Sequence, residues 1–65
     1  GQNEQAIEKY NAVLADNPKE ATSLFGRGVA RLRKGDVAGG SADIASATAI
    51  APEIAGDMAR YGVRP

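Results

Sequence analysis

The stretch FGRGVARLRKGD, residues 25 to 36, is compatible with two very different structures. Its two closely spaced glycines, followed by basic residues, could form a loop that binds phosphate or could lie within a helix. A dinucleotide-binding loop needs a third glycine where Arg31 stands and a strand before the motif, and a P-loop needs Gly-Lys-Ser or Gly-Lys-Thr. The sequence contains none of these features. We therefore interpret the stretch as part of a helix.

Helix-breaking residues divide the chain into four helical runs. Gly35 suits the left-handed backbone that ends many helices, and Asp36 suits the N-cap of the next helix. Asn17-Pro18 and Ala51-Pro52 end the runs that precede them. No stretch alternates between apolar and polar residues as a half-buried strand would. The pattern predicts an all-α fold with helical runs at 6–14, 24–32, 42–50 and 54–61.

The composition limits the chain to one small domain and excludes several classes of function. The 65 residues include no Cys and no His, which rules out disulfides and Cys/His metal sites. Basic and acidic residues number 8 each, whereas nucleic-acid-binding domains usually carry a clear positive excess. Ser41 and Asp43 point in different directions on a helix, and Asp36 and Glu53 suit helix starts. We predict no enzyme activity, no cofactor and no nucleic-acid partner.

The beginning of the chain is polar and has no initiator Met, so it does not resemble a signal peptide. No run approaches the roughly 20 apolar residues that a membrane-spanning helix needs. We expect the chain to begin inside a longer, soluble protein. Its Ala, Gly and Arg usage suggests a bacterial source, which would leave the cytoplasm and the periplasm open as compartments.

A spacing of 34 residues, the distance in sequence between Gly1 and Gly35, recurs through the chain. Each recurrence joins residues of the same structural kind: turns, helix ends and small residues at helix contacts. The other pairs at this spacing are Pro18 and Pro52, Ala21 and Ala55, and Gly28 and Gly62. Recurrence at one fixed period is the signature of a repeat protein, in which each unit packs against its neighbours.

The period and its residues resemble the tetratricopeptide repeat, a helix–turn–helix unit of about 34 residues. The resemblance implies that residues 1–20 form the second half of one repeat and that residues 21–54 form a complete repeat. Residues 55–65 would be the start of a further repeat or a C-terminal capping helix. In the complete unit, Leu24 takes the place of the family's Trp, and the residues that match the family pattern are Gly28, Gly35, Asp36, Ile44, Ala47 and Pro52. In the flanking units they are Gly1, Ala6, Tyr10, Leu14, Pro18, Ala55, Met58, Tyr61 and Gly62.

Three residues depart from the family pattern. Arg27 replaces a Leu, Arg31 replaces an aromatic residue, and Gly40 replaces an Ala. Arg27 next to Gly28 on one helix, with Asp43 on the next, resembles a common variant of the repeat, and this resemblance predicts an ion pair between Arg27 and Asp43. The alternative is that both side chains point into solvent, where such pairs contribute little.

The resemblance implies that the first helix of each repeat lines a groove that binds a protein or peptide segment. On this chain the groove side would carry Thr22, Phe25, Gly26, Val29, Leu32 and Arg33, with Arg60 also at the rim. Our functional hypothesis is a protein–protein interaction or scaffolding module with an apolar recognition stripe at 25, 29 and 32. The alternative is that this stripe packs against a neighbouring helix, a terminal segment or another copy of the chain.

Two further expectations concern partners. The carboxylate clamp that some family members use for chaperone tails is not predicted, because Gly26 and Gly56 stand where it needs Asn and Lys. The first helix lacks the partner that would cover Ile7, Tyr10 and Leu14, so we expect self-association or a preceding segment. A structural or self-assembly role, in a longer solenoid or a homo-oligomer, is therefore the alternative function.

Overall fold

The computed structural model describes all 65 residues and consists of four α-helices without a strand. The helices are α1 (Gln2–Asp16), α2 (Ala21–Lys34), α3 (Val37–Ile50) and α4 (Ile54–Ala59). The predicted all-α fold is confirmed. The helices end where the sequence places its breakers, except that α4 stops short of the predicted end at Tyr61.

The turn between α2 and α3 has the local geometry that the sequence predicts. Gly35 has φ +100°, in the left-handed region that glycine adopts without a steric penalty. Its amide donates to the carbonyl of Leu32, which satisfies one of the free acceptors at the end of α2. Asp36 then caps α3 by accepting a 3.0 Å hydrogen bond from the amide of Gly39. The turn is therefore specified by its own two residues.

Glu20 caps the beginning of α2. Its carboxylate accepts hydrogen bonds from the amides of Thr22 and Ser23, at 3.1 and 3.0 Å, and from the hydroxyl of Ser23. The bond from the Ser23 hydroxyl, together with those from the amides, lowers the pKa of Glu20 below its usual value of 4.5, although partial burial acts in the opposite direction. The capping interaction therefore favours the ionised carboxylate.

Replacing Glu20 with Gln should destabilise the protein at pH 7, by about 1 kcal/mol for the lost cap. A lowered pKa in the folded state stabilises the fold above pH 4.5, and this contribution disappears as the pH falls through the folded-state pKa. The difference between wild type and Glu20→Gln in thermal unfolding should therefore shrink between pH 7 and pH 3. Glu53→Gln is the matched control, since Glu53 precedes α4 without a side-chain capping bond. An equal effect at both pH values would contradict the prediction.

Two glycines bring the backbones of α2 and α3 into direct contact. A Cβ on Gly28 would lie 2.8 Å from the carbonyl oxygen of Gly40 and 2.8 Å from Cγ1 of Ile44. A Cβ on Gly40 would lie 2.7 Å from the carbonyl oxygen of Gly28 and equally close to Leu32. Neither position can accept a side chain unless the helices separate. Gly28 and Gly40 are therefore the two halves of this close contact.

Helix α2 is the centre of the fold, because α1, α3 and α4 all pack against it. On the α1 side, the ring of Tyr10 lies over Gly26, where any side chain would overlap it. Leu14 is buried, so the expectation that it lacks a partner is wrong: the packing of α1 on α2 covers it. Ile7 and Tyr10 are half-buried.

The hydrophobic core draws residues from every helix. Met58 belongs to it, as expected for α4, whereas Tyr61 is exposed and does not contribute to a cap. The core cluster consists of Leu14, Leu24, Phe25, Val29, Ala47, Ile54 and Met58.

Candidate functional site

The predicted groove side of α2 is only partly accessible. Phe25 and Val29 are 3% and 2% exposed, so the expectation that they form an open recognition stripe is wrong. Thr22 and Arg33 are exposed, and Leu32 is half-buried over Gly40. Of the two alternatives for the stripe, the structure shows packing within the chain.

Helix α4 and the residues after it contribute to the core cluster in which these two side chains, Phe25 and Val29, are buried. Phe25 and Val29 belong to the same core cluster as Ile54 and Met58 of α4. Val63, which follows α4, is half-buried and packs against that cluster. The core cluster to which Phe25 and Val29 belong is therefore partly covered by residues of the same chain from α4 onward.

Residues 61–65, here called the strap, fold back from the end of α4. The amides of Tyr61 and Val63 both donate 3.0 Å hydrogen bonds to the carbonyl of Met58. Between them, Gly62 has φ +78°, which reverses the direction of the chain. This reversal carries the strap back toward α2.

Arg33 fastens the strap to α2. Its Nη2 donates a 2.8 Å hydrogen bond to the main-chain carbonyl of Arg64. Arg33 lies one helical turn beyond Val29 and two beyond Phe25, on the same side of α2. Phe25, Val29 and Arg33 therefore form one row along α2, buried at the first two residues and exposed at Arg33.

The remaining rim residue, Arg60, is exposed at the end of α4. Neither Arg33 nor Arg60 forms an ion pair with a carboxylate in the structure. Gly26, the other predicted groove residue, is buried beneath Tyr10 and is not part of an accessible surface. The accessible surface of the groove side therefore consists of Thr22, part of Leu32, Arg33 and Arg60.

A cluster of polar side chains, here called the charged junction, connects α1, α2 and α3. Asp43 is 6% exposed and accepts two 2.8 Å hydrogen bonds from Arg27, one from Nε and one from Nη2. Arg31 donates a third, also at 2.8 Å, from Nη1. The remaining Nη1 of Arg27 donates to Oδ1 of Asn11 on α1 at 2.8 Å.

The geometry of the charged junction points to a structural role. The Asp43 carboxylate raises the pKa of Arg27 above its usual value, mainly through their hydrogen bonds, so this guanidinium stays charged at every accessible pH. No buried side-chain oxygen or nitrogen lacks a hydrogen-bond partner. The ion pair predicted between Arg27 and Asp43 is present. The contacts of Arg31 with Asp43 and of Asn11 with Arg27 were not predicted from the sequence. The spacing of four residues between Arg27 and Arg31 places both on one side of α2 and could have indicated the contact of Arg31.

Other types of site find no counterpart in the geometry. The structure contains no pocket, and no group of three acidic side chains lies close enough to hold a metal ion. None of the four helices combines the length and the apolar character that crossing a membrane requires. The candidate site is therefore a surface, formed by the groove side of α2 together with the strap.

Comparison with known protein families matches residues 1–35 to the family described as TPR repeat. This chain belongs to the tetratricopeptide repeat family. The match covers more than half of the sequence and includes α1, the connection after it and α2. No curated protein and no solved structure gave a significant match.

Several residues assigned to the TPR pattern lie at helix contacts and turns. Leu24 and Ala47 are in the core, Gly28 is at the close approach of α2 and α3, and Gly35 is in the turn. The family match ends at Gly35, so the unit boundaries at 21–54 and 55–65 remain a prediction. TPR repeats are in general non-catalytic modules for protein interaction.

Proposed function

We propose that this TPR chain is a protein–protein interaction module that holds a partner segment along the groove side of α2. Arg33 and Arg60 would bind polar or acidic groups of the segment. The part of the core cluster on which Val63 now packs would supply the apolar floor. The proposal includes no catalytic step and no cofactor.

The contact between α2 and the strap is the observation that carries the proposal. An apolar side chain, Val63, packs on the core cluster while the next main-chain carbonyl accepts a hydrogen bond from Arg33. A partner segment with an aliphatic residue followed by a hydrogen-bond acceptor could make the same two interactions. This side of α2 thus has the chemistry that a groove for peptides needs.

Selection from a displayed peptide library tests the proposal. Peptides recovered on the wild-type chain should bind Arg33→Glu about tenfold or more weakly, since hydrogen bonds to charged groups contribute about 1.5–3 kcal/mol. Fluorescence anisotropy with labelled peptides measures the two dissociation constants.

Lys34→Glu is the matched control, because Lys34 is the next residue of α2, is also exposed and has no contact with the strap. It changes the net charge by the same amount without changing the proposed groove. Equal weakening by both substitutions would mean that binding responds to charge alone. Recovery of no peptide at all would remove the proposed function.

The alternative function, self-assembly, is favoured by exposed apolar residues elsewhere. Val13 on α1, and Val37 and Ile50 on α3, are exposed large hydrophobic side chains away from the groove side of α2. Light scattering over a concentration series distinguishes the two functions. A monomer at all concentrations favours the interaction module, whereas a defined oligomer that Val13→Asp dissociates favours assembly.

A further inference from the structure

We propose that the strap regulates the groove by covering it: residues 61–65 occupy the groove side of α2, and a partner segment gains access only when they lift. This inference rests on the proposed function, since it concerns the same surface. The strap then acts as an intramolecular competitor for the partner.

Few interactions hold the strap in place. Apart from the turn hydrogen bonds at the end of α4, they comprise the hydrogen bond from Arg33 to Arg64 and the contacts of one half-buried side chain, Val63. Tyr61, Arg64 and the final Pro65 are exposed. A segment with so few buried contacts opens at a lower free-energy cost than the helices around it.

Lifting the strap would change the groove in two ways. It would remove the cover that Val63 provides over the core cluster, to which Val29 belongs. It would also free the Nη2 donor of Arg33, which now binds a neutral carbonyl. A carboxylate of a partner would form a stronger, charge-assisted hydrogen bond with the same guanidinium. A partner can therefore displace the strap because it offers a better acceptor.

The expected effect on binding follows from the population of the open state. When only a fraction of the molecules has an open groove, the apparent dissociation constant of a ligand is larger than the intrinsic one by the inverse of that fraction. A substitution that loosens the strap should therefore tighten partner binding, although it removes an apolar contact.

Thiol labelling measures the opening of the strap without any partner. The chain has no cysteine, so Val29→Cys introduces a unique thiol into the core cluster on which Val63 packs, and iodoacetamide modifies it only when it is exposed. Adding Val63→Ala removes most of the side chain that holds the strap. We expect labelling to become about five- to tenfold faster, the effect of losing roughly 1 kcal/mol of contact.

Matched controls separate the strap from the rest of the fold. Val37→Ala makes the same chemical change at an exposed valine and should leave the labelling rate unchanged. Ala30→Cys places the thiol at the next residue of α2, which is also buried but lies outside the core cluster that Val63 contacts. Faster labelling at 29 but not at 30 supports a local opening. Equal acceleration at both positions means global unfolding and overturns the inference, as does an unchanged rate at 29.

The peptides selected on the wild-type chain provide the second measurement. Val63→Ala should tighten their binding by about the same factor by which it accelerates labelling. Faster labelling with unchanged peptide affinity would overturn the regulatory role of the strap while the proposed function stands. Faster labelling with no peptide that binds either chain would overturn the proposed function, and the regulatory role with it.

Discussion

Asp43→Ala should destabilise the protein by about 2–4 kcal/mol, measured by urea denaturation, because removing one partner of a buried ion pair is strongly destabilising. The substitution leaves two guanidinium groups at a helix junction without their carboxylate. The side chains of Arg27 and Arg31 are only 19% and 28% exposed, so water does not fully replace the lost hydrogen bonds. A loss of this size is comparable with the whole stability of a small domain.

Asp43→Asn provides a milder test if the alanine variant fails to fold. It keeps the size of the side chain and one oxygen acceptor while removing the charge, so its effect should be about half as large. Asp16→Ala is the control, because Asp16 is exposed and has no side-chain hydrogen bond or ion pair. Its effect should stay within about 0.5 kcal/mol. Equal stability of Asp43→Ala and Asp16→Ala would show that the charged junction contributes nothing.

Gly28→Ala should destabilise the protein, although alanine is the better helix former. The added Cβ would lie 2.8 Å from a backbone oxygen of α3, and a backbone atom cannot move aside as a flexible side chain can. Overpacking a well-packed core costs about 1–3 kcal/mol, and we expect the upper half of that range because the clash involves backbone. This cost outweighs the gain in helix propensity of about 1 kcal/mol. Thermal and urea unfolding should both show the loss.

Gly56→Ala makes the same change within α4, where no atom lies within 4 Å of the added Cβ. Here only the helix propensity changes, so the substitution should stabilise the protein by about 0.5–1 kcal/mol. The two variants should therefore differ in sign. A stabilising Gly28→Ala would mean that the close approach of α2 and α3 is not tight enough to exclude a methyl group.

The sequence predicts those features of the fold that depend on neighbouring residues. Gly35 and Asp36 fix their turn through backbone conformation and capping, both of which act over a short stretch of chain. Glycine at 28 indicates a close helix contact because it matches the family's glycine at such a contact, where a close-packed partner offsets its cost in helix propensity. The ion pair between Arg27 and Asp43 was predicted from the resemblance to a repeat variant that carries an Arg-Gly on one helix and an Asp on the next.

The candidate site depended on contacts between residues distant in sequence, and there the sequence was less informative. The stripe at 25 and 29 is apolar whether it faces a partner or the core, so its pattern cannot distinguish the two environments. The structure places both residues in a cluster with Leu14, Ile54 and Met58, which are distant from them in sequence. Asn11 joins the charged junction for a similar reason: its contact with Arg27 spans two helices, and its exposed position predicts nothing.

The central position of α2 determines how the protein unfolds. Helix α1 packs against α2 alone, so nothing else holds it in place. No pair of helices that leaves out α2 keeps a core of its own, because α3 and α4 share only a small contact. Loss of α2 therefore leaves only the small contact between α3 and α4. The four helices should melt in a single cooperative transition.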